Sequence, residues 1–301
     1  MSASLAMVAA SLLFALMGVC VKFASASYSA GEIVFWRSLF GLVTMLGVLH
    51  WRRIDWRSTV PAMHFWRSAS GTTALCFWFY AIGKLPLATA MTLNAMSSVW
   101  IALFLIGGSI LLGGGQQGGD RAPDGRLIGA VLAGFAGVVL VLRPSVDQQQ
   151  LWHGLAGLLS GLLAAVAYLQ LTALGRIGEP GERVVLYFSA SGVLAGAVLT
   201  LASGGPGTHT WQGAGWLVAI GLLATAGQWM VTRAYATGAT LGVAALQYLG
   251  IAYAFVFGVW LFDDPVTVQA LLGMLLIVGA GVAATLLRRR SVPDDAGPTE
   301  T

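Results

Sequence analysis

The sequence contains few charged residues. Only 9% of its 301 residues are Asp, Glu, Lys or Arg, whereas 57% are hydrophobic, and the mean hydropathy is +0.80. Soluble globular domains carry about 25% charged residues, so this balance excludes an ordinary soluble domain. The solvent around most of the chain is predicted to be lipid.

Acidic residues are missing from the places where a membrane protein would use them to move protons. No Asp or Glu lies near the centre of the apolar stretches described below, and the histidines fall at or near the ends of those stretches. Carboxylates buried in a membrane usually mark proton relays or ion pathways. The sequence therefore gives no sign of a buried proton relay.

The two cysteines, Cys20 and Cys76, lack the spacing of a metal site or a disulfide framework. We predict that they pack as small apolar groups. Serine and threonine are common, but none has a histidine or a carboxylate at the same depth of the membrane. No catalytic residue, metal or cofactor is therefore predicted.

Long apolar runs are what the sequence has in abundance. Ten of them reach or approach the roughly 17 to 25 residues that a helix needs to cross the hydrocarbon of a bilayer. An open strand would leave backbone groups without hydrogen bonds in lipid, so helices are expected. The runs cover approximately residues 4–24, 32–50, 62–82, 88–112, 126–143, 152–173, 183–202, 212–232, 239–261 and 267–287. The predicted fold class is an all-α integral membrane protein with ten transmembrane helices.

Basic residues are distributed unevenly among the connections between these runs. If the N-terminus is cytoplasmic, the outer side holds only Lys22, Lys84 and Arg143. The inner side then holds Arg52, Arg53, Arg57, Arg121, Arg126, Arg176, Arg183, Arg233, Arg288, Arg289 and Arg290. Cytoplasmic loops carry the excess of Lys and Arg in membrane proteins. We therefore predict a multi-pass protein of the cytoplasmic (inner) membrane with both termini cytoplasmic, and no nucleic-acid partner.

The two halves of the sequence repeat one pattern. Gly31-Glu32 recurs as Gly181-Glu182, and the segment from Ala81 to Trp100 recurs from Ala234 to Tyr253, an offset of 153 residues. Each copy contains an odd number of membrane-spanning runs, so the second copy enters the bilayer from the opposite side. Inverted repeats of this kind are typical of alternating-access transporters.

The domain boundaries follow from this repeat. The first five-helix repeat is predicted to cover residues 1–143, including a flexible Gly-rich loop at 113–125. The second five-helix repeat is predicted at 152–287, followed by a polar cytoplasmic tail at 288–301.

The chain resembles the drug/metabolite transporter superfamily, in particular proteins with two tandem EamA repeats. The resemblance rests on Arg37 within Phe-Trp-Arg-Ser-Leu-Phe-Gly, on the segment Phe79–Ala88, and on Gly129-x7-Gly137-Val138 with Gly273-x7-Gly281-Val282. It extends from about residue 5 to residue 287. It implies a ten-helix carrier with a central cavity between the halves, lined mainly by helices 1, 3, 4, 6, 8 and 9.

One feature of the resembling proteins is absent. Their helices 4 and 9 often carry a proline after a short polar residue, whereas this chain has Ser98 and Ile251 at the matching positions. We expect glycine and serine to produce a gentler kink there. Glycine pairs such as Gly192-x3-Gly196 are expected to let helices approach closely.

Asn94 and Gln247 occupy equivalent positions of the two repeats, within otherwise apolar stretches. Each amide has about four hydrogen-bonding sites to satisfy, so both should face the protein interior. They could form interhelical hydrogen bonds. Alternatively, they form a pseudo-symmetric pair near the midplane that binds the polar part of a substrate.

Aromatic side chains form a second set of candidate substrate-binding residues, because their faces suit flat or cationic ligands. They lie on helices expected to surround the cavity: Trp78, Trp100, Tyr168, Trp229, Tyr248 and Tyr253. Packing in the core or against lipid is the alternative role for each of them. Gln170 and Gln228 are weaker polar candidates for the same wall.

Two arginines lie inside predicted spans. Arg37 and Arg67 are each about five residues from a helix start, roughly 8 Å along the helix axis. They could snorkel to the membrane surface or form a structural ion pair, with Glu32 as a possible partner of Arg37. Contacts to the substrate or to a gate are the alternative.

The predicted function is a secondary transporter that moves a small organic metabolite, such as an amino acid, a nucleoside-like compound or a vitamin, by alternating access. The missing central carboxylate favours facilitated transport or exchange over tight proton coupling, with Glu32 as the one acid placed to titrate at an outer gate. An intramembrane enzyme and a channel or scaffold without carrier activity are the alternatives. The expected partners are a small-molecule substrate and the lipid bilayer, and the sequence leaves the oligomeric state open.

Overall fold

The computed structural model describes residues 2–101, 104, 125–142 and 148–263, together with residues 268, 269, 271–273, 275, 276, 279, 280 and 283. Within these residues the regular structure is helical and contains no strand. The Gly-rich loop predicted at 113–125 lies outside them apart from residue 125, and the tail predicted at 288–301 lies wholly outside them.

The described residues form ten helices with defined bounds, in the order in which they occur along the chain. Their bounds are Ala3–Ala24 (α1), Ala30–Arg52 (α2), Pro61–Lys84 (α3), Leu87–Ala95 (α4), Gly125–Leu142 (α5), Gln148–Arg176 (α6), Gly181–Ala202 (α7), Trp211–Thr237 (α8), Thr240–Leu246 (α9) and Tyr248–Phe262 (α10).

Six segments of the described residues are long and apolar enough to cross a membrane. They are Ala3–Ala24, Ala30–Arg52, Trp152–Arg176, Gly181–Ala202, Trp211–Thr237 and Gly242–Phe262. The prediction of an all-helical membrane protein is thereby confirmed. Helix α3 has the length of a span but is more polar, because it carries His64 and Arg67 on its buried side.

Several helices begin at a side-chain cap that the sequence provides. Ser29 Oγ accepts a hydrogen bond from Glu32 N at 3.2 Å, and Thr210 Oγ1 accepts one from Gly213 N at 3.0 Å. These caps satisfy backbone donors that have no partner inside the helix. They fix the residues at which α2 and α8 begin.

Two of the predicted membrane-spanning runs, 88–112 and 239–261, contain a break in the helix. Helix α4 ends at Ala95, and helical structure resumes after a turn at Met96 and continues to residue 101, while Gln247 separates α9 from α10. Serine hydroxyls bond carbonyls next to the second break: Ser98 Oγ donates to Ala244 O at 2.6 Å, and Ser11 Oγ donates to Leu246 O at 3.3 Å. The breaks therefore lie two and four residues before the positions expected from the proline pattern.

The most extensive packing joins α2 with α7, α3 with α6, and α1 with α8. Small residues bring α2 and α7 into backbone contact. We call this contact the α2–α7 seam: Gly31, Phe35, Ser38 and Gly41 of α2 against Ser189, Gly192, Gly196 and Leu199 of α7. A methyl group at Gly196 would lie 2.5 Å from Phe35 N, so this position admits no side chain without a backbone shift.

Buried apolar residues form two main clusters along α1. Ala6 and Ala10 belong to one cluster, whereas residues from Ala15 to Ala24 belong to the other. Between the two clusters, α1 presents Ser11 and Phe14, and the neighbouring helices also present polar side chains. The polar interior of the protein therefore lies at about the middle of α1.

Candidate functional site

A cavity of about 80 Å³ lies between the two apolar clusters. Its walls come from α1, α2, α3, α4, α6, α7, α8 and α10, together with the break residue Gln247. The polar side chains that line it are Ser11, Arg37, Arg67, Asn94, Tyr168, Gln228 and Gln247, and the aromatic ones include Phe14, Trp78 and Phe188. Helices from both halves of the chain thus meet around one polar space.

Asn94 and Gln247 both line this cavity, as their equivalent positions in the repeats predict. Asn94 Nδ2 donates to Ser160 Oγ at 3.2 Å. Gln247 Nε2 donates to the Tyr235 hydroxyl, and its Oε1 lies 3.4 Å from Ser97 Oγ. Each amide has more hydrogen-bonding sites than these contacts occupy, so each retains capacity for a ligand.

Both amides lie next to helix breaks. Asn94 is in the last turn of α4, and Gln247 is the residue at which α9 gives way to α10. Non-helical backbone at membrane depth is tolerated where protein or a water-filled cavity surrounds it. The two amides therefore lie beside the two helix breaks, on the wall of one cavity.

Trp78 and Tyr168 form part of the apolar wall of the cavity. Trp78 is 8% exposed and meets Phe14 edge to face, with the ring centroids 6.2 Å apart. Tyr168 stacks on Tyr235 at a centroid distance of 4.7 Å. The phenol of Tyr235 in turn accepts the hydrogen bond from Gln247, so the stack also holds one amide in position.

Five of the predicted candidates do not line the cavity: Trp100, Gln170, Trp229, Tyr248 and Tyr253. Their contacts are with other parts of the protein. Trp100 stacks on Phe104, and Gln170 Oε1 lies 3.0 Å from Ser70 Oγ. The guanidinium of Arg233 lies over the Trp229 ring. Tyr248 is fully buried near Gly134, and Tyr253 packs against the cluster that contains Ala15 to Ala24.

Arg37 and Arg67 point into the cavity instead of reaching the membrane surface. Arg37 is 4% exposed and Arg67 is 2% exposed. Their guanidinium carbons lie 5.0 Å and 4.3 Å from the centroid of the Phe188 ring. The burial therefore excludes snorkelling. Glu32, the possible partner named for Arg37, makes its contacts elsewhere.

Glu32 instead binds residues near the start of α8. Its Oε2 accepts a hydrogen bond from Gly207 N at 3.0 Å, and its Oε1 lies 3.8 Å from His209 Nε2. Residues 203–210 connect α7 with α8, so this contact joins the two halves of the chain at one end of the helices. We call this end the α7–α8 end.

A second set of ion pairs joins the halves at the opposite end, where α2 ends and α3 begins. We call this end the α2–α3 end. Glu179 Oε1 lies 2.9 Å from His64 Nε2 and 2.9 Å from Arg183 Nη1, and we call these three residues the Glu179 cluster. Arg52 and Glu182 pair nearby at 2.6 Å. The pKa of Glu179 lies below its ordinary value of 4.5: burial raises it, but hydrogen bonds from Arg183, His64 and Ser58 together outweigh burial.

Phe188, like Ser11 and Phe14, lines the cavity although the sequence did not predict it. A phenylalanine on an apolar helix indicates packing, and nothing in its neighbourhood indicates a contact with charge. The repeat carried a partial signal, since Arg37 aligns with Tyr187 at the offset of 150 residues that relates Gly31 to Gly181. The second half therefore has no matching arginine, and its adjacent residue, Phe188, supplies the ring for both guanidinium groups.

The structure shows no group of three or more His, Cys, Asp or Glu that could hold a metal ion within the residues it describes. Nor do the cavity walls show a nucleophile hydrogen-bonded to a histidine or a carboxylate in that part of the chain. The arrangement suits binding of a polar molecule by amides, aromatic faces and guanidinium groups.

Residues 1–114 match the model of the EamA-like transporter family. The chain is 31% identical to the Pseudopaline exporter CntI of Pseudomonas aeruginosa (strain UCBPP-PA14) over 286 residues, which cover 94% of this chain and 95% of that protein. It is 28% identical to an uncharacterized transporter of Helicobacter pylori (strain J99 / ATCC 700824), with 92% of each chain covered. A protein of known crystal structure shares the fold, with a TM-score of 0.76 at 18% identity over 96% of this chain and 98% of the other.

Proposed function

Because this chain belongs to the EamA-like transporter family, we propose that it carries a small organic metabolite across the cytoplasmic membrane by alternating access. It is a multi-pass membrane transporter of the drug/metabolite transporter superfamily, not an enzyme. The resemblance seen in the sequence is thereby confirmed. The observation that carries the proposed mechanism is a polar cavity lined by helices of both halves, together with contacts between the two halves at each end of the helices.

The pairing of helices supports the proposed inverted repeats, at 1–143 and 152–287. In a two-fold arrangement of five-helix repeats, α1 corresponds to α6, α2 to α7, α3 to α8, and α4 to α9, while α10 corresponds to the helical residues that follow Met96. The contact of α3 with α6 then has the contact of α1 with α8 as its counterpart, and both are extensive. The contact of α2 with α7 would join two equivalent helices across the two-fold axis.

The size of the cavity supports a change of conformation during transport. About 80 Å³ is below the roughly 300–1,000 Å³ of sites that enclose small organic ligands. Helices must separate to admit a substrate, and the contacts at the two ends are the ones that must break in turn. Glu32 would then act at the outer gate, as its contact with Gly207 and His209 suggests.

The distribution of basic residues supports the proposed orientation. Arg52 and Arg183 lie together at the α2–α3 end, and Arg183 Nε donates to Asp55 O at 3.0 Å across the two connections. These connections share one side, as a cytoplasmic location of both requires. The α7–α8 end would face outward.

The amides and aromatic faces of the cavity suit an amphipathic solute, such as an amino acid, a nucleoside-like compound or a vitamin. The relative from Pseudomonas aeruginosa is named an exporter, which favours outward movement. A channel or a scaffold is the second function to test, and saturable flux separates a carrier from both.

Replacement of Asn94 and Gln247 by leucine together tests the site. Transport of labelled amino acids, nucleosides, riboflavin and S-adenosylmethionine into proteoliposomes should show saturable flux for one of them with the unaltered protein. We expect the double variant to fold and to lose that flux, because two amides of the cavity wall are removed.

Gln170→Leu is the matched control, since it removes a partly buried, hydrogen-bonded amide that lies outside the cavity. It should keep the flux. Unchanged transport by the double variant would remove both amides from the site, and the absence of saturable flux for every solute would count against a carrier of these classes.

A further inference from the structure

We propose that Arg37 and Arg67 bind a carboxylate group of the transported substrate, with Phe188 holding the two guanidinium groups in place. This inference rests on the proposed carrier function and names its substrate class, a small organic acid anion.

The two arginines are almost completely buried and lack an ionic partner. In the part of the chain that the structure describes, neither guanidinium has a carboxylate within ion-pair distance. Arg37 Nε and Arg67 Nε and Nη1 are buried without a hydrogen-bond partner there. Buried charges in proteins are normally paired, because desolvation of an isolated charge is costly.

The contacts that the arginines do make are too weak to replace a counter-ion. Arg37 Nη2 lies 3.4 Å from Gln228 Oε1, which is long for a hydrogen bond to a charged donor. The interaction of each guanidinium with the Phe188 ring is an attraction to the face of an uncharged aromatic group. These contacts orient the two groups without neutralising them.

The geometry favours one shared anion. Both guanidinium groups contact the same ring, so they cannot be farther apart than the sum of their distances to its centroid. Both also line the one cavity described above, with Asn94, Gln228 and Gln247 in the same wall. Among the lining residues that the structure describes, they are the only charged side chains, so the cavity carries two positive charges and no negative one.

Arginine matches a carboxylate better than any other cation does. Its planar group offers two parallel N–H donors to the two carboxylate oxygens. The amides of Asn94 and Gln247 would remain for neutral polar groups of the same molecule. The cavity thus combines recognition of an anionic end with recognition of an uncharged polar end.

Malonate and malonamide form a matched pair of probes, because they have a similar size and differ in charge. We expect millimolar sodium malonate, at constant ionic strength, to raise the thermal unfolding midpoint of the detergent-purified protein saturably, whereas malonamide leaves it unchanged. Arg67→Gln and Arg37→Gln should weaken the response to malonate by about tenfold to a hundredfold. Arg233→Gln removes an arginine that contacts Trp229 outside the cavity, and should keep it.

Arg67→Lys guards against a folding defect, since it keeps the charge and removes the planar fork. We expect it to unfold near the midpoint of the unaltered protein and to bind malonate more weakly. An equal malonate response in the arginine variants and the unaltered protein would overturn the proposal, as would no response of the unaltered protein. A response to inorganic phosphate without one to malonate would overturn the carboxylate assignment.

Counterflow of labelled malonate in proteoliposomes separates this inference from the carrier function. Saturable binding without flux would leave the anion site standing and count against the carrier. Flux of neutral solutes that is unaffected by Arg37→Gln and Arg67→Gln would leave the carrier standing and overturn the anion site.

Discussion

At the scale of single residues, Glu179 holds together the contact at the α2–α3 end. One of its oxygens contacts both His64 and Arg183, and its side chain is 7% exposed. Because the folded protein lowers the pKa of Glu179 below 4.5, the ionised carboxylate stabilises the folded state at higher pH. This contribution is present above pH 4.5 and is lost as the pH falls through the lower pKa of the folded protein.

We expect Glu179→Gln to reduce the free energy of unfolding by about 1 to 2 kcal/mol at pH 7, because hydrogen bonds to a charged group are lost. The difference from the unaltered protein should shrink as the pH falls below 4.5. Thermal unfolding in detergent at several pH values measures both effects. Glu182→Gln is the control, since its partner Arg52 is 47% exposed and exposed ion pairs contribute little. A pH-independent difference for Glu179→Gln would contradict the assignment.

The sequence predicted which polar residues are buried better than it predicted the direction in which they point. Asn94 and Gln247 line the cavity, as their equivalent positions in otherwise apolar stretches predicted that both would face the protein interior. For Arg37 and Arg67 the sequence left open whether they reach the membrane surface or the protein interior, because position along a helix does not determine the rotation of that helix. The rotation of α2 is fixed by its small residues against α7, and those contacts depend on a partner far away in the sequence.

At the scale of helices, the α2–α7 seam brings backbone of the two halves into direct contact. We expect Gly196→Ala to destabilise the protein by about 1 to 3 kcal/mol, because the added methyl group meets the backbone of Phe35. Gly47→Ala, on the same pair of helices, adds a methyl group to open space and should leave the stability unchanged or slightly higher. The thermal unfolding midpoints of both variants measure this difference in stability. Equal midpoints would show that α2 and α7 can move apart at the seam without loss of stability.

Helix boundaries were predictable where apolar runs end at polar residues, as at the starts of α2 and α8. The kinks were predicted a few residues after the observed breaks at Met96 and Gln247, because the prediction relied on where proline occurs in the resembling proteins. In this chain no proline fixes the site. Hydroxyl groups of Ser98 and Ser11 bond carbonyls beside Gln247, and such long-range bonds are invisible in a local pattern.

At the scale of the whole molecule, the proposed orientation can be tested with two exposed threonines. Thr59 lies in the connection before α3, and Thr208 lies in the connection before α8. In a background with Cys20 and Cys76 replaced by alanine, we expect Thr208→Cys to react with a membrane-impermeant maleimide in intact cells. Thr59→Cys should react only after permeabilisation. The reverse pattern would invert the proposed topology, and labelling of both in intact cells would contradict it.

The membrane class and the transporter family were predictable because composition and repeat spacing are properties of the whole chain. The contacts between the halves at the two ends were not, because they join residues such as Glu32 and Gly207, 175 residues apart. No local pattern pairs residues so far apart, and the predicted inverted repeat indicates only that such contacts should exist at both ends.

The two buried arginines have an electrical consequence. In the proposed carrier, a cavity that holds Arg37 and Arg67 selects negatively charged solutes, and a negatively charged solute responds to the voltage across the membrane. When the cell interior is negative, export of one negative elementary charge lowers the free energy by about 2.3 kcal/mol per 100 mV. This free energy corresponds to roughly a fifty-fold concentration ratio. Net export of an organic anion would therefore be driven by the membrane potential itself, without a titrating carboxylate in the cavity and without a co-transported ion.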